Sequence, residues 1–147
     1  MSAIQDAFQN GFGDQIYAVT VGSEALYRKE FTGQELADRI QSVQKTLSGV
    51  KVGTADSWHL FHDGTADAVI PVADILLCNA FSYWQGQEIG NATYSFFDDI
   101  HRAFEHIQKV SGTSDKPELW VGETGMYFFY RFLIRRLVAV NALANQR

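Results

Sequence analysis

Residues 119–125, "LWVGETG", decide how this chain folds, because an apolar run ends there on a carboxylate held between glycines. Residues 119–123 predict a strand, which stops at Glu123. An apolar run without strict polar alternation is typical of a strand that is buried on both faces, as in parallel sheets. The segment therefore predicts a parallel sheet with a glutamate at its carboxyl edge.

Three further apolar runs of the same kind precede this one. They are "IYAVTVG" (16–22), "VKVGTAD" (50–56) and "DILLCNAF" (74–81). Each is rich in Val, Ile or Leu and each is followed by polar or glycine residues. Together with residues 119–123 they predict four strands.

Helical patterns separate these runs. Residues 32–49 predict a helix that begins at the capping-box pair Thr32 and Glu35 and ends before Gly49. Their apolar residues recur at helical spacing and are Leu36, Ile40, Val43 and Leu47. A second helix is predicted over residues 95–112, where Gly112 is the stop and the apolar face consists of Phe97, Ile100, Phe104 and Ile107. Residues 64–73 are expected to hold no more than a turn or two of helix.

The alternation of strands and helices predicts an α/β fold with parallel strands. Two architectures compete, the doubly wound sheet and the (β/α)8 barrel. The glycine pattern G-x-G-x-x-G that favours the first is absent from "VGSEALYR" after the first strand. Polar residues at the carboxyl ends of several strands favour the barrel, but a barrel needs about 250 residues. Four β/α units are half of such a barrel, so these patterns alone leave the architecture open.

Composition excludes several classes of function. The chain has 147 residues, is 46% hydrophobic and carries a formal charge of -5, which indicates one globular domain. The absence of a basic cluster argues against a nucleic-acid partner. No signal peptide is visible at the start, and arginines interrupt the apolar tail, so no membrane span is expected. Cys78, the single cysteine, is interpreted as a buried, inert thiol.

Two glutamates carry the strongest chemical signal. Glu24 and Glu123 each follow a Val-Gly pair at the end of a strand, in "VGSE" and "VGET". Two carboxylates at the mouth of one parallel sheet are what glycoside hydrolysis requires, one as acid and base and the other as nucleophile or as the base that activates water. The alternative is that both are ordinary solvated acids at strand ends.

Aromatic and polar residues after the strands form a second group. They are Asp56, Trp58, Asn79, Phe81, Tyr83 and Trp84. The aromatic rings are suited to stack on sugar faces, and the Asp and Asn side chains to bond sugar hydroxyls. Packing in the core or at its rim is the alternative for each ring.

The remaining polar residues indicate no metal and no cofactor. His59 and His62 lie beside Asp63 but lack the other ligands of a known metal motif. His101 and His106 fall on the second predicted helix and are expected at the surface. Asn91 begins the sequence "NAT", which is a potential N-glycosylation site.

Five segments together resemble a fungal member of glycoside hydrolase family 17, the β-1,3-glucanases and β-1,3-glucanosyltransferases of the cell wall. They are "YAVTVGSEALYR", "VGTADSW", "CNAFSYWQGQ", "NATYSFFDDI" and "LWVGETG". The resemblance runs from about residue 10 to Gly125. It implies a (β/α)8 barrel of which this chain holds strands 4 to 7.

The resemblance also implies roles for the two glutamates. Glu24 resembles the acid/base and Glu123 the nucleophile of a retaining enzyme that acts on β-1,3-glucan, either by hydrolysis or by transfer. Such a pair needs carboxyls about 5–5.5 Å apart, with the higher pKa on the acid. A location outside the cell or in the wall is implied by the family.

Residues 126–147 do not continue the resemblance, since Met126 stands where a tryptophan is implied. We expect residues 1–125 to form the partial barrel and residues 126–147 an unrelated helical tail, as in a truncated or mis-spliced product. A barrel slice exposes two strand edges, which invites a homodimer. An inactive glucan-binding protein and an unstable fragment without function are the alternatives to an enzyme.

Overall fold

The computed structural model describes residues 2–113 and 115–125 of the chain. The predicted tail of residues 126–147 lies outside them. The strands are β1 (Ala18–Ser23), β2 (Lys51–Ser57), β3 (Ile75–Ala80) and β4 (Glu118–Thr124). The helices are α1 (Ser2–Gln9), α2 (Gly33–Thr46), α3 (Trp58–His62) and α4 (Ala92–Ser111), with short 3-10 helices at Gly13–Gln15 and Ile89–Asn91.

The four strands form one sheet in the order β1-β2-β3-β4, and every neighbouring pair is parallel. The predicted α/β class and the parallel sheet are thereby confirmed. Each strand lies within two residues of its predicted bounds. Helix α1 was not predicted, and the segment between β2 and β3 contains only the five-residue α3.

Helix α2 begins at the predicted capping box. The Glu35 N–H donates to the Thr32 hydroxyl at 3.3 Å, and the Thr32 N–H donates to the Glu35 carboxylate at 2.8 Å. These bonds satisfy backbone donors that the first turn leaves open, which also lowers the pKa of Glu35 through its bonds from Thr32. Leu36 and Ile40 are fully buried against the sheet, so the predicted apolar face is confirmed.

Helix α4 ends at Gly112, whose φ of +71° is the left-handed conformation that favours glycine. Ile100 and Ile107 are buried as predicted, but the side chain of Phe97 is 62% exposed. The prediction for Phe97 is wrong because the buried stripe also contains Ala103, and Phe97 lies about 120° around the helix from it. His101 is exposed, whereas His106 is half-buried and bonds Asp67.

The core lies between the helices and one face of the sheet. Val52 and Leu76 from the strands pack there with Ile40 and Ile107 from the helices. Cys78 belongs to the same cluster and is fully buried, and burial raises the pKa of its thiol. The prediction of a buried thiol is confirmed.

A polar cluster covers the opposite face of the sheet at the amino ends of the strands. The rings of Tyr17 and Trp120 stack with centroids 5.4 Å apart, which joins the β1 side to β4 across the two middle strands. Glu118 accepts hydrogen bonds from the Tyr17 hydroxyl at 2.9 Å and from the Trp120 indole at 2.6 Å. Lys51 completes the cluster through an ion pair with Glu118. We call these four residues the amino-end cluster.

The free energy of unfolding is expected to depend on pH through the amino-end cluster. Burial alone raises the pKa of Glu118, but the bonds from Lys51, Trp120 and Tyr17 outweigh it and lower the pKa. The hydrogen bonds to Glu118 and Tyr17 raise the pKa of Lys51 to about 12. A lowered carboxyl pKa stabilises the fold above the unfolded value of about 4.3, and this stability is lost as the pH falls through the folded pKa.

Urea unfolding of the wild type and of Glu118→Gln, at several pH values from about 3 to about 7, measures this contribution. The variant is expected to lose less stability on acidification than the wild type. Glu105→Gln is the matched control, because Glu105 is exposed on α4, where its carboxylate lies 3.6 Å from the His101 imidazole. Equal pH dependence in all three proteins would contradict the prediction.

Candidate active site

The carboxyl ends of the strands bring both predicted catalytic glutamates to one edge of the sheet. Glu24 follows β1 directly, and Glu123 is the residue before the last one of β4. Asn79 at the end of β3 lies between them, and its side-chain amide donates to the Glu24 carboxylate at 3.1 Å. A Cβ added at Gly122 would overlap the Asn79 oxygen, so Asn79 also touches the residue before Glu123. Glu24, Asn79 and the Gly122–Glu123 segment therefore form one contiguous patch.

A β-bulge lies directly before Glu24 in β1, and a second one in β4 includes Glu123. Strand β1 advances from Thr20 to Ser23 while its partner β2 advances only two residues. Strand β4 advances from Val121 to Thr124 while β3 likewise advances two. An inserted residue of this kind bends the strand and changes the direction of nearby side chains, and such bulges are frequent beside active sites.

The bulge in β4 explains how Glu123 reaches solvent. Strict alternation would place Glu123 on the same face as Leu119 and Val121, which pack against the core. The bulge interrupts the alternation, and Glu123 is exposed. Gly122 is required at this point because Asn79 occupies the space of a side chain there.

Glu24 adopts an unusual backbone conformation. Its φ of +54° lies in the left-handed region, which a non-glycine residue adopts only where its surroundings enforce it. The Glu24 N–H donates to the carbonyl of Ala55 at 2.8 Å, and its own carbonyl accepts from the N–H of Arg28 at 2.9 Å. Both sides of the residue are therefore fixed, and its side chain is half-buried beside Asn79.

Asn79 is fully buried, and its side-chain oxygen has no hydrogen-bond partner among the described residues. A buried amide oxygen without a partner is costly and is often found where function needs it. The nitrogen of the Asn79 side chain, by contrast, donates to Glu24. Asn79 thus holds the Glu24 carboxylate from below.

Asp56 lies under the loop that follows Glu24 and not at the surface. Its exposure is 0%, and its carboxylate accepts from the backbone N–H groups of Leu26, Tyr27 and Ser57 at 2.9, 3.3 and 2.8 Å. Burial raises the pKa of Asp56, and the three backbone donors work against that rise. The expectation that Asp56 contacts a sugar directly is corrected, because both oxygens are already bonded inside the protein.

The predicted aromatic residues divide into two groups. Trp58 packs against the core, and half-buried Phe81 lies beside Gly125. Tyr83 and Trp84 are 41% and 76% exposed, with ring centroids 4.9 Å apart. The second pair is therefore exposed at the surface, whereas Trp58 shows the packing role that was its alternative.

The segment that carries Trp84 is anchored to α4. The Ser82 hydroxyl donates to the carbonyl of Ala92 at 2.6 Å, and the Ser95 hydroxyl donates to Ser82 at 2.9 Å. The side chain of Gln85 bonds the carboxylate of Asp99, whose pKa burial raises. An exposed tryptophan on a fixed segment is a suitable platform for a flat apolar surface such as a sugar face.

One aromatic residue beside the site escaped the sequence analysis. Tyr27 is 56% exposed, lies three residues after Glu24 and meets the ring of His59 edge-on at 6.0 Å. Its proximity to Glu24 in sequence was the available signal. His59 in turn shares a hydrogen bond of 2.9 Å with the Ser57 hydroxyl.

Other features lie apart from this patch. Within residues 2–113 and 115–125, no group of three or more His, Cys, Asp or Glu side chains is placed to hold a metal ion. The same residues include no helix that is long and apolar enough to cross a membrane. Asn91 is exposed, and its side chain donates to Gln87 at 2.7 Å. A hollow of about 680 Å³ lies at the opposite, amino end of the sheet beside Tyr17 and Lys51.

Comparison with known proteins adds independent findings. The family model described as BtgE/BtgC glycoside hydrolase domain matches residues 1–126. A glucan 1,3-beta-glucosidase of Saccharomyces cerevisiae is 48% identical over 116 residues, which cover 71% of this chain and 37% of that protein. A glucan 1,3-beta-glucosidase of Schizosaccharomyces pombe is 46% identical, covering 76% of this chain and 36% of that protein. The chain thus spans little more than a third of the length of these relatives.

Solved structures agree with the sequence comparisons. The glycoside hydrolase family 17 beta-1,3-glucanosyltransferase of Rhizomucor miehei superposes with a TM-score of 0.65 at 30% identity, over 85% of this chain and 44% of that one. An active-site mutant of that enzyme, solved in complex with laminaritriose, superposes with a TM-score of 0.64 at 31% identity. The four-strand sheet therefore matches part of such a fold, as predicted for a partial barrel.

Proposed function

This chain belongs to the BtgE/BtgC glycoside hydrolase family, among the fungal family 17 β-1,3-glucanases, and from that membership we propose that it acts on β-1,3-glucan by a retaining double displacement. One observation carries the proposal. Two glutamates stand at the bulged carboxyl ends of two parallel strands, where Asn79 bonds the Glu24 carboxylate and lies against Gly122, the residue before Glu123. Glu123 is the proposed nucleophile and Glu24 the proposed acid and base.

The first chemical step forms a bond to the enzyme. A Glu123 carboxylate oxygen attacks the anomeric carbon while the bond from that carbon to the glucan oxygen breaks, and the Glu24 carboxyl gives its proton to the leaving oxygen. In the second step the Glu24 carboxylate takes a proton from water or from a sugar hydroxyl. The oxygen of that water or hydroxyl attacks the anomeric carbon, and the bond from this carbon to the Glu123 carboxylate breaks. Water gives hydrolysis and a sugar hydroxyl gives transfer.

Glucan contacts are proposed at the residues around this pair. Trp84 and Tyr83 offer exposed rings, and Phe81 borders Gly125 on the Glu123 side. Asn79 acts through Glu24, to which its amide is bonded. Trp58 supports the patch from the core side.

The setting of the protein is part of the same proposal. A location outside the cell or in the wall suits a glucan substrate, and exposed Asn91 is then available for glycosylation. The outer edges of β1 and β4 have no partner strand among the described residues. A second copy that pairs with these edges would cover backbone donors and acceptors, so a homodimer is proposed.

Laminari-oligosaccharides test the proposal directly. Fresh product observed by proton NMR is expected to carry the β-anomeric configuration, and Glu24→Gln is expected to lower the rate by about 10²–10⁴-fold. Sedimentation of the same samples reports whether one or two copies act. An α-anomeric product, or full activity of Glu24→Gln, contradicts the mechanism. Binding of the oligosaccharide without turnover by soluble wild type would favour an inactive glucan-binding protein instead.

A further inference from the structure

Asp56 combines complete burial with complete engagement of its carboxylate. Asp56 is not part of the protein surface, since its exposure is 0%. Of its three donors, Ser57 is its neighbour in sequence, whereas Leu26 and Tyr27 come from the loop after β1, about thirty residues away. The two distant bonds therefore tie that loop to the end of β2.

The tied loop is the one that sets the position of Glu24. On its near side the Glu24 N–H is bonded to Ala55, the residue before Asp56. On its far side the next turn closes through bonds from Arg28 to Glu24 and from Glu30 to Ala25. Asp56 bonds the two amides between these points. A left-handed φ at Glu24 is thus held from both directions along the chain.

We propose that Asp56 is a positioning residue for Glu24, which fixes the loop of residues 24–30 so that the Glu24 carboxylate meets the Asn79 amide. The importance of that geometry for catalysis rests on the proposed function, because it matters there only if Glu24 transfers protons. The geometric part is a property of the fold and is testable without turnover.

A carboxylate is needed at position 56 because two oxygens must accept bonds from three N–H groups. Asparagine has nearly the same shape but offers one acceptor oxygen, and its NH2 group would face a backbone donor. An unsatisfied buried donor is costly, so the loop is expected to move away. Asp56→Asn therefore changes the bonds at this point without emptying the space.

Backbone amide exchange and NMR shifts of Asp56→Asn test the inference in the full chain. Exchange at Leu26 and Tyr27 is expected to accelerate by about ten- to a hundredfold, while Ile107 in α4 stays protected. The side-chain amide signals of Asn79 are expected to shift, because Glu24 no longer holds its place beside them. Because Ser57 pairs with Asn79 across β2 and β3, the shift is compared with that of Glu24→Gln, which alters the acceptor of the Asn79 amide directly. A positioning role predicts that the Asn79 amide signals shift in the same direction in both variants.

Asp99→Asn is the matched control, since Asp99 is also a buried carboxylate but bonds Gln85 in another segment. It is expected to leave Leu26, Tyr27 and Asn79 unchanged. Unaltered Asn79 signals in Asp56→Asn would overturn the inference. Loss of protection throughout the chain, α4 included, would also overturn it and make Asp56 a residue of global stability.

Turnover separates this inference from the proposed function. If Glu24→Gln keeps full activity on laminari-oligosaccharides, the proposed function fails while the NMR result still decides the role of Asp56. If the enzyme is active, Asp56→Asn should lose more activity on glucan than on an aryl laminarioside with a good leaving group, which needs little proton donation. An equal loss on both substrates would count against positioning of the acid.

Discussion

Turnover of laminari-oligosaccharides is expected to fall by about 10⁴-fold or more when Glu123 is replaced by Gln. An amide oxygen is a poor nucleophile, so the glycosyl ester does not form and the remaining groups provide binding and proton donation only. The substitution keeps the shape of the side chain, and Glu123 is exposed, so the fold is expected to remain intact. Initial rates of product release, measured on samples with matching circular dichroism spectra, give the ratio.

Glu105→Gln is the control for that measurement. It makes the same chemical change on an exposed residue of α4 that pairs with His101, and is expected to retain the wild-type rate. A Glu123→Gln protein that keeps more than about a tenth of the wild-type rate would exclude Glu123 as the nucleophile. The surviving activity would then point to a different arrangement of the site.

Gly53→Ala is expected to lower the free energy of unfolding by about 3 kcal/mol or more. Gly53 is buried in β2 and pairs with Ile75 of β3. An added Cβ would overlap the Ile75 carbonyl oxygen and lie 2.7 Å from the Ile75 carbonyl carbon, far inside van der Waals contact. Backbone atoms of a central ladder are unable to move aside without breaking hydrogen bonds, so the strain is not relieved by a side-chain rotation.

Urea unfolding followed by circular dichroism measures the loss, with Gly90→Ala as the matched control. A Cβ at Gly90 would meet no atom within 4 Å, and its stability is expected to change by less than about 1 kcal/mol. Equal stability of the two variants would show that β2 and β3 are farther apart in solution than their pairing requires.

Prediction of the fold succeeded where the signal is local. The capping box at Thr32 and Glu35 and the apolar spacing of α2 depend on residues within one or two turns, and the structure repeats them. The prediction that Phe97 belongs to the buried face was wrong because a spacing of three residues fits two neighbouring faces of a helix. The packing of α4 against α3 and the sheet decides which of these faces is buried. Helix α1 was missed because its apolar pattern is short.

For the candidate site, the order of the strands predicted where residues lie but not what they contact, and the catalytic and glucan-binding roles stay predictions. Glu24, Asn79 and Glu123 lie at one edge, as the order of parallel strands requires. Asp56 was expected to touch a ligand and is instead bonded to the backbone of Leu26 and Tyr27. A carboxylate at a strand end reads the same in either case, because the donors that engage it come from a distant segment.

The amino-acid sequence by itself determined the parallel β/α order, the start of α2, the end of α4 and the presence of two glutamates at strand ends. Those features follow from periodicity and from residues that are close along the chain. Only the tertiary structure decided that each glutamate lies at a bulge, that Asp56 holds the loop of Glu24 and that Tyr17 reaches Trp120. A bulge exists only relative to a partner strand, and a buried carboxylate is satisfied only by donors that folding brings to it.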